Sequence, residues 1–251
     1  MSSIKISSIV FVLVFGGSLF GIFLHSALPE DYLREGTKEV VRLSMALVST
    51  MAALVLGLLV ASAKSSYDAK NTALVENAAR AVLLDRVLAH YGPETKEARA
   101  LLRDAYAHAV ERIWSKNRLN PSGLEAPSTE AEVLIEKIEG LSPKDGTQAS
   151  LKSQAVSIAW AVGQTRWLLY AQQAVSVSTP LLVTVVSWLI ALFVGFGLFA
   201  PRDAVVVVSM FVSAASVSGA VFLIVEMYAP FSGLVQISSA PLRAALAQLG
   251  R

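Results

Sequence analysis

Cysteine is absent from the 251 residues, which removes disulfides, thiolate metal sites, cysteine nucleophiles and iron–sulfur clusters together. Charge is scarce as well. Asp, Glu, Lys and Arg make up 16% of the chain, against about 25% in a soluble globular protein. The net charge of +2 is too small to mark a nucleic-acid-binding surface, so no nucleic-acid partner is expected. Histidine occurs at His25, His90 and His108 only, never at the i, i+4 spacing of a helical metal site, and no HExxH or paired Glu-x-x-His motif occurs. Gly195-Phe196-Gly197 lacks the strand–turn–helix context of a dinucleotide loop, and no Gly-rich run ends in Gly-Lys-Ser/Thr. With no catalytic constellation, neither a cofactor, a metal nor an enzymatic activity is expected.

What the chain has instead is apolar length. Hydrophobic residues make up 54% of it and the mean hydropathy is +0.57. The excess collects in residues 8–28, 43–63, 181–200 and 204–225. Each run reaches about 30 Å at 1.5 Å per residue, enough to cross a hydrocarbon core. An all-α membrane protein with four spans follows, two before a polar insert and two after it. The lipid bilayer is its first partner. The expected division is spans one and two in 1–63, a helical cytoplasmic domain in 64–178, spans three and four in 179–229, and a C-terminal tail in 230–251.

The first run could be a signal peptide, but it continues past Gly21 to Leu28 with no small-x-small cleavage site. An anchored span is the expectation. Gly17 and Gly21 form a small-xxx-small pair, the spacing that lets helices approach closely in lipid. Residues 29–40 form a short polar loop. From Val40 to Tyr91 there is no proline and only Gly57, so the second span either continues out of the membrane as one helix or breaks near 63–66, where the composition turns polar.

The insert reads as helical throughout. Leu74, Ala78, Ala81, Asp85 and Leu88 keep a three–four spacing, and Gly92-Pro93 ends that helix. A second runs from Glu94 to about Lys116, closed by Asn120-Pro121-Ser122-Gly123. Ser128 or Thr129 caps a third, reaching Glu139. A long helix, 147 to about 175, leads to the third span. Pro201-Arg202-Asp203 joins spans three and four as a tight hairpin. On one side of the membrane lie 17 Lys and Arg residues, on the other four, Arg34, Lys38, Arg42 and Arg202. The positive-inside rule then puts both termini and the insert in the cytoplasm.

Few intramembrane residues carry information. Glu226 is the one acid at a span's depth, a candidate functional group that could equally reach the interface. In the second span Ser49, Ala53, Gly57 and Ala61 form an i, i+4 stripe suited to close helix packing. The opposite face carries Ser44, Val48, Met51, Val55 and Ser62, flanked by Leu58 and Leu59. An apolar stripe edged by the Ser44 and Ser62 hydroxyls can face lipid or line a constriction that gates by dewetting. After the fourth span, residues 226–233 include Pro230-Phe231-Ser232-Gly233, followed by a short amphipathic helix over 240–249.

Three stretches, residues 57–68 (Gly-Leu-Leu-Val-Ala-Ser-Ala-Lys-Ser-Ser-Tyr-Asp), 84–92 (Leu-Asp-Arg-Val-Leu-Ala-His-Tyr-Gly) and Met227 to Gly233, together resemble a widespread bacterial membrane family classed as bestrophin-like. The resemblance spans most of the chain. It implies a homo-oligomer, a pentamer in bestrophins, around a central anion pathway whose hydrophobic neck comes from the second span. The neck would map onto Met51, Val55 and Leu58 or Leu59, within the set that includes Val48. No phenylalanine stands there, so the aromatic neck of animal bestrophins is missing. Pro230, Phe231 and Gly233 match the turn after the last span. The acidic calcium-binding cluster of animal members does not follow it, which argues against calcium gating. The resemblance thus implies passive ion conduction through the second span. The alternative is a non-conducting scaffold or sensor whose insert binds a partner.

Overall fold

The computed structural model describes residues 3–29, 35–114, 129–172, 178–201, 203–231 and 233–251. Among them the chain is helical without a strand: α1 (Ser3–Ala27), α2 (Glu35–Tyr91), a 3-10 turn (Pro93–Thr95), α3 (Lys96–Trp114), α4 (Thr129–Glu139), α5 (Gly146–Ala171), α6 (Thr179–Leu198), α7 (Ala204–Tyr228) and α8 (Ala240–Leu246). Four of these, α1, α2, α6 and α7, are long and apolar enough to cross a membrane. The sequence-based all-α reading with four spans therefore holds. The Asn120–Gly123 turn, the Ser128 cap, Arg34, Arg202 and Ser232 lie outside the described residues.

Helix α2 runs unbroken for 57 residues. No break occurs at 63–66, because nothing there removes a backbone hydrogen bond: the polar residues at the change in composition are tolerated in a helix interior, unlike proline. Gly92 ends the helix at φ +138°, in the region glycine adopts without a Cβ penalty. The orphan carbonyls of its last turn are then satisfied from outside the helix. The Thr95 hydroxyl donates to Leu88 O (2.6 Å) and Gly92 O (2.8 Å), and Gln148 Nε2 donates to Tyr91 O (2.9 Å).

The chain divides into two compact units. The first comprises Met1–Ser66 and Ser176–Tyr228, the second Tyr67–Val175 and Ala229–Arg251.

The first unit holds the apolar spans. Its closest crossing is between α1 and α6, where Gly21 and Gly197 let two backbones touch. A Cβ at Gly21 would lie 2.1 Å from Val194 O, and one at Gly197 would lie 2.0 Å from Ser18 O. Gly17 is looser, with Ile190 O at 3.4 Å. The small-xxx-small pair read from the sequence is thus a packing face within the chain. At the end of this crossing His25 donates through Nδ1 to Leu198 O at 2.8 Å. Phe11, Phe15 and Phe211 form an aromatic cluster, Phe211 edge-on to both others at 5.3 and 5.5 Å. Helix α2 contributes Ala52, Leu59 and Ala63 to this unit's interior.

The second unit buries the expected stripe. Leu74, Ala78, Ala81, Asp85 and Leu88 are all inside, packed in one cluster with Leu102 and Tyr106 of α3, Ile138 of α4, Ala155 and Val162 of α5, and Leu242 and Ala245 of α8. Two polar networks pin it. The Tyr106 hydroxyl donates to Asn77 Oδ1, and Asn77 Nδ2 donates to Val162 O at 3.0 Å; burial pushes the Tyr106 phenol well above its ordinary range. Arg99 grips Asp85 in a fork, Nε to Oδ1 at 2.7 Å and a terminal nitrogen to Oδ2 at 2.9 Å. Asp85 Oδ1 also accepts from Gly250 N at 3.3 Å, and Arg99 donates to Arg251 O at 2.7 Å. The tail is therefore fastened to the second unit.

Candidate functional site

The membrane part of α2 is the span least covered by its own chain. Of its most apolar stretch 11% is buried, against 22–33% for α1, α6 and α7. A helix carrying this much unburied apolar surface needs another partner, lipid or protein, to complete it.

The covered side of α2 is centred on Ala52, Leu59 and Ala63, with Val55 and Leu56 packed against the same cluster. At 100° per residue the far side then falls on Val40, Leu43, Leu47, Met51, Leu54 and Leu58, spaced by three and four residues, and these are 45–70% exposed. This is the apolar stripe that α2 presents outward.

The sequence-derived candidates divide over these two sides. Met51 and Leu58 lie on the outward stripe. Val48 and Val55 are half-buried at its edge. Leu59 is 4% exposed, inside the cluster with Val10, Val185 and Val221, so it leaves the set of neck candidates. The physical reason is rotational. Orienting the helix by its small stripe placed the opposite face near Val55, but the chain packs α2 through Ala52, Leu59 and Ala63. Leu43, Leu47 and Leu54, which the sequence reading did not single out, share the outward stripe with Met51 and Leu58; their three–four spacing of large aliphatic side chains was the signal available.

The small stripe packs against nothing in the described chain for most of its length. Ser49, Ala53, Gly57 and Ala61 are exposed, and a Cβ at Gly57 would meet no atom within 4 Å. The Ser44 and Ser62 hydroxyls are both engaged. Ser44 donates to Val40 O at 3.0 Å, and Ser62 lies 3.2 Å from the Tyr228 hydroxyl of α7.

Glu226 is 3% exposed, two residues before the end of α7. Pro230 and Phe231 are buried and Gly233 turns with φ +140°. This turn has a structural task in the second unit: Ile237 N donates to Pro230 O at 2.9 Å, Trp114 Nε1 donates to Ile237 O at 2.9 Å, and the Trp114 ring meets Phe231 edge-on at 6.5 Å. His90 bonds the carbonyl of Arg86, and no three His, Asp or Glu side chains come together among the described residues.

What this arrangement supplies is an outward aliphatic surface on one long helix of a four-span unit. No curated protein and no solved structure matches the chain. A family model described as the bestrophin-like domain matches residues 11–242, which takes in most of α1 and the whole of α2, α6 and α7. The chain belongs to the bestrophin-like family.

Proposed function

We propose that the chain is an oligomeric ion channel, assembled with α2 around the axis and conducting passively. The observation that carries this reading is the outward stripe of α2. It is the least self-covered span, and Leu43, Leu47, Met51, Leu54 and Leu58 repeat at the spacing of a helix seam. Copies arranged around an axis cover part of that surface and turn the remainder to the pore. An apolar ring a few ångströms in radius excludes water, because hydrating it costs more than leaving it dry, so it gates by wetting. Met51 and Leu58 are the narrow positions, with Val48 and Val55 at the subunit side. Ala53, Gly57 and Ala61, which carry no bulk, form the surface on which a neighbouring α2 rests. The permeating ions are anions and the assembly is a pentamer, by likeness to bestrophin channels. The second unit and both termini face the cytoplasm by the Lys and Arg distribution.

A specific observation favours the second reading, a scaffold whose second unit binds a partner. Trp160 and Trp167 on α5 are 58% and 52% exposed, an unusual outlay of large aromatic surface on an extramembrane helix. Subunit count and cross-linking separate the two. Native mass spectrometry of the purified protein is expected to give a single ring of four or more copies, and Leu58→Cys to form disulfide-linked dimers inside that ring. A monomer, or a ring in which Leu58→Cys never cross-links while an α1 cysteine does, contradicts the axial placement of α2.

A further inference from the structure

Two open cavities in the first unit join into one groove. The first, about 420 Å³, is lined by Arg42, Met45 and Ser49 of α2 and by Gly195, Phe196 and Phe199 at the end of α6. The second, about 580 Å³, shares Ser49 and Phe196 and continues between α6 and α7 past Leu189, Phe193, Ser213 and Val217. At Gly195, in the wall of the first cavity, a Cβ would lie 2.6 Å from Met45 Sδ, so a larger residue there would push the Met45 side chain aside.

The groove's dimensions match one leaflet. From Phe199 back to Leu189 is ten residues of helix, about 15 Å at 1.5 Å per residue. That is half of a hydrocarbon core of about 30 Å. Its walls are aliphatic and aromatic apart from a few serine hydroxyls, and its cationic end lies where α6 turns toward α7. Arg42 there is exposed and forms no hydrogen bond or ion pair among the described residues. An arginine at a span's end is placed to meet headgroups, and its planar fork suits a phosphodiester, which it binds through two parallel charge-assisted hydrogen bonds.

We propose that this groove binds an anionic phospholipid, one acyl chain lying along α6 and α7 and the phosphate held by Arg42. A free phosphate would find one cation and an apolar wall. A lipid satisfies both ends at once, because the chain buries the wall and the headgroup neutralises the arginine. The site does not depend on whether the protein conducts.

The test uses the full chain purified in mild detergent, with dioleoylphosphatidylglycerol and dioleoylphosphatidylcholine added at equal concentration and retained lipid read by native mass spectrometry. Both lipids offer Arg42 a phosphodiester, but the quaternary ammonium of phosphatidylcholine offsets its charge and is repelled by the arginine, so phosphatidylglycerol is expected to be retained about tenfold more tightly. Arg42→Gln should abolish that preference and Arg42→Lys restore part of it. Ser213→Trp, which fills the groove, should lower retention of both lipids; Ser209→Leu, at another serine of the second cavity's lining, serves the same purpose if the larger residue prevents folding. Equal retention of the two lipids by the parent overturns the proposal, as does a preference that survives Arg42→Gln or retention unaffected by filling the groove. Cross-linking of Ser213→Cys to a second copy, with no lipid retained, would show instead that a neighbouring subunit occupies the groove.

Discussion

Gly197→Ala adds one methyl group where the structure has no room for it. The new Cβ would sit 2.0 Å from Ser18 O and 3.0 Å from Ile22 N. Carbon and oxygen do not approach within about 3 Å, so the α1 and α6 backbones must part by about 1 Å. A gap of that size forfeits a quarter to a half of each dispersion contact across it. Over about 30 atom pairs at 0.1–0.2 kcal/mol each, this comes to roughly 1–3 kcal/mol, within the range for overpacked cores. In lipid no hydrophobic term rewards re-closing the helices, so close packing is what holds them. Helix propensity works the other way, since Ala is favoured over Gly by up to about 1 kcal/mol. Gly16→Ala cancels that gain. Gly16 lies in α1 one residue before the crossing, and a Cβ there meets no atom within 4 Å. Equilibrium unfolding in mixed micelles, followed by far-ultraviolet circular dichroism, should put Gly197→Ala about 1–3 kcal/mol below Gly16→Ala. Gly21→Ala should behave like Gly197→Ala, and Gly17→Ala should fall between. Equal midpoints for Gly197→Ala and Gly16→Ala would refute the reasoning.

Other expectations follow from single contacts. Arg99→Met leaves the buried Asp85 carboxylate without its cation and should destabilise the second unit by about 3 kcal/mol, the low end for a broken buried pair because Arg99 is 18% exposed; an unchanged melting temperature would contradict the role given to this fork. The Lys144 ammonium, hydrogen-bonded to Glu94, holds that carboxyl below its ordinary range. A depressed carboxyl stabilises the fold above its unfolded value of about 4.3 and loses that contribution as the pH falls through the folded value, so Glu94→Gln should melt slightly below the parent at pH 7, and the gap should narrow as the pH falls below about 4. An impermeant maleimide should fail to label Asn120→Cys in intact cells and label it after lysis; labelling from outside would reverse the topology. Gly57→Leu should leave the secondary structure intact, because nothing in the chain lies near it, yet reduce the oligomer on size-exclusion chromatography.

Helix boundaries and spans were legible because they rest on local chemistry. Absence of proline from 40 to 91 allowed a continuous α2 but left a break near 63–66 open, whereas Gly92-Pro93 sufficed for its end. Gly17 and Gly21 marked a close crossing by spacing alone, although only the partner's backbone distinguishes the strict position, Gly21, from the tolerant one. The orientation of α2 was not legible. Its membrane stretch has a small stripe and an aliphatic stripe, each capable of being the covered face, and the choice is made by α1, α6 and α7. Leu59 moved from candidate neck to interior on that account. The tail was read as an amphipathic helix over 240–249, but its docking site was not, since Leu242 and Ala245 join a core that α2, α3, α4 and α5 assemble from residues as distant as Leu74.

The central claim is that the outward stripe of α2 forms a dewetted constriction, and current through single oligomers in planar bilayers tests it. Leu58 is 65% exposed and Leu59 is 4% exposed, so the adjacent pair separates lining from packing. Leu58→Ser supplies a hydroxyl to water at the narrow point, and should raise conductance without changing oligomer size or melting temperature. Leu59→Ser opens a cavity in the helix cluster, and should lower stability by about 2–5 kcal/mol, as other large-to-small core changes do. A chloride gradient should shift the reversal potential toward that of chloride. Equal, near-zero current from the parent and from Leu58→Ser, in oligomers of verified size, would contradict the channel account.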